Sequence, residues 1–251
     1  MRHGNKEERK VKKGFLFIKK TIEFFYFKSE FIDVENIPEE ASLIIGNHAQ
    51  LHSPITTELH FPKKRYTWCI GQMMNKKEVP EYAYQDFWSL KPKWCRWFYK
   101  LLAHIIAPIS EYVFTNADTI GVFHDSRLFT TFKQTVQKLN EGYNVIIFPE
   151  CPTLHNEIIN EFLDKFVDVA VLYYKRYGKC VNFVPMYNAP KIKKVIFGKP
   201  IQYNPNIDIN EQRTMVCNYL KEEITRIAKS LPVHKVVPYN NIKKRNYPMS
   251  K

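Results

Sequence analysis

A chain of 251 residues with 45% hydrophobic and 25% charged side chains has the size and composition of a protein with one sizeable folded core. Its formal net charge of +13 sits at the ends, for residues 1–20 hold eight Lys/Arg against two Glu and residues 233–251 hold five against none. That distribution excludes a protein that is basic throughout, and the lack of low-complexity tracts or fixed-period repeats excludes a disordered chain or a solenoid.

Basic ends suit an anionic lipid surface or a nucleic-acid backbone, through attraction that salt screens. Solvated tails are the plainer alternative. Cys69, Cys95, Cys151, Cys180 and Cys217 are dispersed without CxxC spacing. An odd, scattered set argues against a disulfide framework or a structural zinc site, and for a reducing, cytosolic setting. The apolar run Phe15–Ile18 is too short for a secretory signal. No segment reaches the roughly 20 apolar residues that cross a bilayer. Leu101–Phe114 comes nearest, and His104, Pro108 and Glu111 interrupt it.

In chain order, Phe15–Phe27 forms an amphipathic helix. Phe15, Phe17, Ile18, Ile22, Phe24, Phe25 and Tyr26 gather on one side, with Lys19, Lys20 and Glu23 opposite. Such a helix lies in a lipid interface or packs on the protein's own core. Ala41–Gly46 reads as a short buried strand leading to Asn47-His48, and Lys63–Gly71 as another strand. Lys91–Lys100 interleaves four cations with Trp94, Trp97, Phe98 and Tyr99. Rings beside cations mark a membrane–water boundary first, core or partner packing second, and single-stranded nucleic acid only distantly.

Phe129, Phe132, Val136 and Leu139 predict a helix over 128–140 stopped by Gly142. A buried strand at Asn144–Phe148 ends at Pro149. Then come a helix over about 157–176, strands at Val181–Tyr187 and Lys194–Phe197, and a last helix over about 209–230. The alternation predicts an α/β fold, a twisted mixed β-sheet flanked by helices with an N-terminal amphipathic helix. Three parts follow: 1–30 as a basic membrane-associating segment, 31–232 as the α/β domain, and 233–251 as a basic C-terminal tail.

Functional groups gather where strands of such a sheet end. His48, directly after a buried strand, is the side chain suited to accept a proton near neutral pH. His48 and His52 also stand at i, i+4, the spacing of two metal ligands on a helical face. The intervening Ala49-Gln50-Leu51 lacks the Glu of metal-dependent hydrolases, so no metal is expected. Cys151 follows Pro149-Glu150, where a nearby carboxylate raises a thiol's pKa and argues against a nucleophile.

Four blocks carry a resemblance. Leu43–His48 (LIIGNH) is followed by Gly121–Arg127 (GVFHDSR), then by Leu139–Glu150 (LNEGYNVIIFPE). Phe183–Tyr187 (FVPMY) with Phe197–Ile201 (FGKPI) completes the set. In this order, over residues 41–202, they resemble the glycerolipid (lysophosphatidic acid, or acylglycerolphosphate) acyltransferase family. The resemblance implies transfer of a fatty acyl group from acyl-CoA or acyl carrier protein to a lipid or glycerol hydroxyl, in phospholipid biosynthesis. It implies no further cofactor and a peripheral enzyme on the cytoplasmic side of the membrane.

By position His48 would be the base, with Asn47 beside it, Arg127 an acceptor anchor, and Pro149-Glu150 part of the acceptor pocket. The sequence departs from the family at three places. Ser53 stands where the family has the Asp that orients the imidazole. In serine-protease triads, loss of that carboxylate costs roughly 10⁴ in rate. The family's Phe-Pro-Glu-Gly-x-Arg continues here as Cys151-Pro152-Thr153, losing a ligand-approaching Gly and a phosphate-pairing Arg. The Arg block carries His124-Asp125, so Asp125 is a candidate substitute carboxylate for His48. Partners expected are an anionic membrane surface, the acyl thioester and the lipid acceptor, and no nucleic acid. The competing expectation is an acyltransferase-like protein that binds acyl lipids without turnover.

Overall fold

A computed structural model describes residues 4–88, 91–123, 125–151, 158–240 and 242–251, with backbone alone for 4–12 and 86. The chain forms two compact units, residues 1–26 with 68–131, and residues 27–67 with 132–251.

The second unit is built on a mixed sheet. Its strands are β1 (Glu30–Ile32), β2 (Leu43–Gly46), the start of β3 (Arg65–Ile70), β5 (Asn144–Ile147), β6 (Asn182–Ala189), β7 (Lys194–Phe197) and β8 (Ile201–Gln202). They run in the order β1-β7-β6-β2-β5-β3, with β8 pairing β6. Strands β6, β2, β5 and β3 are mutually parallel, whereas β7 and β8 run antiparallel to β6. Parallel strands are covered on both faces and therefore read as continuous apolar runs, as Leu43-Ile44-Ile45 and Val145-Ile146-Ile147 do.

Alternation along β6 sends its side chains to two cores. Val184 and Met186 join Ile37, Ile44, Ile146, Val195 and Phe197. Tyr187 and Ala189 join Ile196 and the buried stripe Ile224, Ile227 and Ala228 of α7 (Ile209–Ser230). The helix α7 is capped by Asp208, whose side chain accepts from the Asn210 N–H at 2.8 Å. Helices α2 (His52–His60) and α6 (Asp168–Tyr177) and most of α5 (Leu128–Asn140) complete this unit.

The first unit holds α1 (Gly4–Phe25), the end of β3, α3 (Val79–Ala83), α4 (Arg96–Asn116) and β4 (Thr119–Val122). Val79, Ala83, Met73 and Ala107 form its core. Gly14 of α1 lies against α4, where a Cβ would meet the Tyr112 hydroxyl at 2.4 Å. Among the described residues no helix is long and apolar enough to cross a membrane.

The structure departs from the sequence expectations in two segments. The helix expected over 157–176 begins only at Asp168, and residue 157 lies outside the described residues. Before it, the chain pairs back on the end of β5. Cys151 N–H donates to Glu161 O at 2.7 Å, Leu163 N–H donates to Pro149 O at 2.8 Å, and Glu150 bridges Phe162. Backbone groups paired in this way are not available to a helical ladder.

The second departure is the C-terminal segment, expected as a basic tail. His234, Val236, Val237, Tyr247 and Ser250 are buried. Lys235 and Met249 bridge antiparallel, and Val236 N–H donates to Pro248 O at 2.9 Å. The segment is a folded part of the second unit. Its apolar residues outweigh the solvated charges interspersed among them.

Candidate active site

Parallel β2 and β5 are neighbours in register, Leu43 opposite Val145 and Ile45 opposite Ile147. Their C-terminal ends therefore lie side by side, and each releases its block at the same edge. Asn47-His48 leaves β2 as Phe148-Pro149-Glu150 leaves β5. The sheet thus brings together residues about 100 apart in sequence: His48 N–H donates to Glu150 Oε1 at 3.3 Å. Gly46 is needed at this crossing, because a Cβ there would meet Met186 Cε at 2.7 Å and Phe148 Cε1 at 3.3 Å.

Asn47 is buried and committed to β6. Its Nδ2 donates to Asn188 O at 3.0 Å, and its Oδ1 accepts from Asn188 N–H at 2.7 Å. The side chain extends the ladder between β2 and β6 by one step. Pro149 is buried, and its carbonyl accepts from the Leu163 N–H.

The His48 ring stands edge-on to Phe148 and Tyr239, with centroids 5.5 and 5.0 Å away. Its Nδ1 is hydrogen-bonded to the carbonyl of Gln50. A carbonyl can only accept, so Nδ1 carries the proton and Nε2 keeps its lone pair. Burial lowers the His48 pKa below its ordinary value, outweighing the opposing hydrogen bond to Gln50. The ring is therefore neutral at pH 7 with a bare Nε2, the form a general base requires.

The Gln50 carbonyl reaches the ring because Ala49 and Gln50 both adopt left-handed backbone, with φ of 46° and 54°. Non-glycine residues pay about 1–3 kcal/mol each for such conformations, which persist only where the surroundings over-determine them. Here Ala49 is buried with Val237, Tyr247 and Ile242. Gln50 Nε2 donates to the Tyr247 hydroxyl at 3.0 Å and to Asn240 O at 3.4 Å. Helix α2 starts at His52, after this turn, so His48 and His52 do not share a helical face. Among the described residues no group of three His, Cys, Asp or Glu is arranged to hold a metal ion.

Ser53 is fully buried, and its Oγ has no hydrogen-bond partner among the described residues. The hydroxyl thus does not take up the imidazole N–H, which goes to Gln50. Glu150 is 5% exposed, and burial pushes its carboxyl up to about 8 despite the bond from His48 N–H. At neutral pH it is mostly the protonated acid, able to donate a hydrogen bond to a bound alcohol or ester oxygen.

Behind it, buried Tyr187 pairs with His234 Nε2 at 2.8 Å, and His234 Nδ1 pairs with Pro232 O at 2.8 Å. Burial, and then Glu150, raise the Tyr187 hydroxyl. Cys151 is raised by burial and by Glu161 and Asp164, which keeps its thiol protonated.

Arg127 and Asp125 belong to the first unit. The Asp125 carboxylate takes Arg127 Nε at 3.0 Å and Nη2 at 2.7 Å, and these bonds hold its pKa down. Arg127 also stacks on Phe123 at 3.9 Å and lies 3.8 Å from Glu78. The structure thus joins His48, Asn47 and Glu150 in one unit, and Asp125 and Arg127 in the other. His124, Pro152 and Thr153 lie outside the described residues.

No protein-family model matches this chain, and no curated protein matches it in sequence. Among solved structures it is similar to the crystal structure of the 1-acyl-sn-glycerophosphate (LPA) acyltransferase PlsC from Thermotoga maritima. The identity is 16% and the TM-score 0.49, over 90% of this chain and 84% of that one. A likeness of that degree assigns neither activity nor substrate.

Proposed function

We propose that this protein is a peripheral acyltransferase. It moves a fatty acyl group from acyl-CoA or acyl carrier protein to a lipid or glycerol hydroxyl at the cytoplasmic face of a membrane. The observation that carries the reading is His48 itself. Its Nδ1 is engaged by a carbonyl, its Nε2 is unpartnered among the described residues, and it adjoins Glu150 where two parallel strands end.

In the proposed reaction Nε2 takes the hydroxyl proton as the alcohol oxygen attacks the thioester carbon. The C–S bond breaks as the tetrahedral intermediate collapses, and the imidazolium returns the proton to the departing thiolate. Glu150, protonated, hydrogen-bonds the acceptor.

Membrane contact is supported by the first unit's surface. Phe17, Phe24 and Phe25 of α1 are 73%, 83% and 82% exposed, and Trp94, Trp97, Leu101, Ile105 and Ile109 line the start and one side of α4 with more than half their surface exposed. Apolar exposure on this scale marks a binding surface. The neighbouring Lys91, Lys93, Arg96 and Lys100 suit anionic headgroups.

One observation favours a second reading, a protein that binds acyl lipids without turnover. Ser53 supplies no carboxylate to stabilise an imidazolium. Incubating the purified protein with acyl-CoA and a panel of lysolipids and monoacylglycerols separates the two. Thiol release dependent on acceptor and on His48 supports transfer, whereas thioester binding with no release rejects it.

A further inference from the structure

In the motif that this site resembles, a carboxylate holds the histidine. The position is Ser53 here, and its hydroxyl makes no hydrogen bond among the described residues. The His48 Nδ1 proton nevertheless has an acceptor, the Gln50 carbonyl, delivered by two successive left-handed residues. Asn47 does not brace that turn, since its amide is used by Asn188. The brace comes from residues 237–247. The Tyr247 hydroxyl accepts from Gln50 Nε2 at 3.0 Å, the Asn240 carbonyl accepts at 3.4 Å, and Val237 and Tyr247 enclose the Ala49 methyl. Tyr239 sets the tilt of the imidazole from the other side, edge-on at 85°.

We infer that Gln50, clamped by Tyr247, is the positioning residue of this site, its main-chain carbonyl fixing the His48 tautomer in place of a side-chain carboxylate. The inference rests on His48 being the base of the proposed transfer. A neutral carbonyl orients the ring without offering a full negative charge, so the site keeps alignment and gives up part of the stabilisation of the imidazolium.

The test is nitrogen NMR of the full chain labelled at histidine, with the His48 signals assigned by their loss in His48→Gln. The wild type at pH 8 should show Nδ1 protonated and Nε2 bare. Tyr247→Phe keeps the ring among Ala49, Val237 and Ile242 but removes the nearer acceptor of Gln50 Nε2, leaving the Asn240 carbonyl at 3.4 Å. It should yield a mixture of tautomers and, in the turnover assay, a kcat lower by roughly 10- to 100-fold with KM little changed. Gln50→Ala, which keeps the carbonyl and removes the clamp, should do the same.

A wild-type ring protonated on Nε2 overturns the inference, and so does an unchanged tautomer in both folded variants. If the tautomer shifts as stated while no thioester is ever consumed, the positioning stands and the acyl-transfer reading falls.

Discussion

The main-chain N–H of His48 and the side chain of Glu150 are hydrogen-bonded at 3.3 Å, so the proposed base and the buried acid lie side by side. Their titrations pull in opposite directions, and each leaves a mark on pH dependence.

An unfolded Glu150 loses its proton near its ordinary 4.5, whereas the folded one keeps it to about 8. Between these values the unfolded chain binds fewer protons, so stability falls as pH rises, by about 1.4 kcal/mol per unit from this group. Glu150→Gln has nothing to ionise. Its advantage over wild type should be absent near pH 4.5 and reach roughly 2–5 kcal/mol above pH 8. Urea midpoints at pH 4.5, 6.5 and 8.5 give the comparison, and parallel curves would refute it.

His48 behaves the other way. Burial depresses its pKa, so below pH 6.5 the unfolded ring takes a proton that the folded one refuses, and stability declines as pH falls through that point. For the same reason, the acid limb of kcat/KM should lie below pH 6.5. His48→Gln should cost about 10²–10⁴ in kcat and lose the limb altogether. An acid limb centred above 6.5 would point to another base.

Asp125 is exposed and engaged by Arg127. Asp125→Asn should leave the His48 tautomer and the melting temperature nearly unchanged, since an ion pair exposed to water adds little to stability. A collapse of kcat at constant KM would instead show that Asp125 serves the base.

Leu101 and Ile105 are 54% and 56% exposed. Leu101→Glu and Ile105→Glu should therefore not lower the melting temperature. They should weaken sedimentation with phosphatidylglycerol vesicles, and added salt should weaken binding of the wild type too. Unaltered vesicle binding in the double variant would discard the α4 face as the membrane contact.

Much of the frame was legible where local signals agreed. The helix over 128–140 stops as its periodicity says, with Gly142 left-handed at φ 85° just beyond. Strand β7 and helix α7 fall on their expected residues, and the apolar runs of β2 and β5 are both central strands. The Asn-His and Phe-Pro-Glu blocks were each legible at the end of a strand, whereas the parallel pairing of β2 with β5 that brings them together is seen only in the structure.

The hold on His48 was not readable. Ala49-Gln50 contains no glycine to announce positive φ, and the acceptor is a main-chain oxygen, which leaves no trace in residue identity. The role of 233–251 was hidden by counting charge. Lys235, Lys243, Lys244, Arg245 and Lys251 dominate the sum, while Val236, Val237 and Tyr247 determine the packing. The helix expected over about 157–176 forms only from Asp168, since pairing of Glu161 and Leu163 with Cys151 and Pro149 overrode local preference before it.

The bond from Gln50 to Tyr247 closes across 197 residues. Contacts of such long range form late in folding, after nearer ones have reduced the entropy of closing the loop. A chain with its sheet assembled but this last closure unmade would have the strands in place and an imidazole free to tumble. On the proposed reading, the base would be held for transfer only once this closure is made.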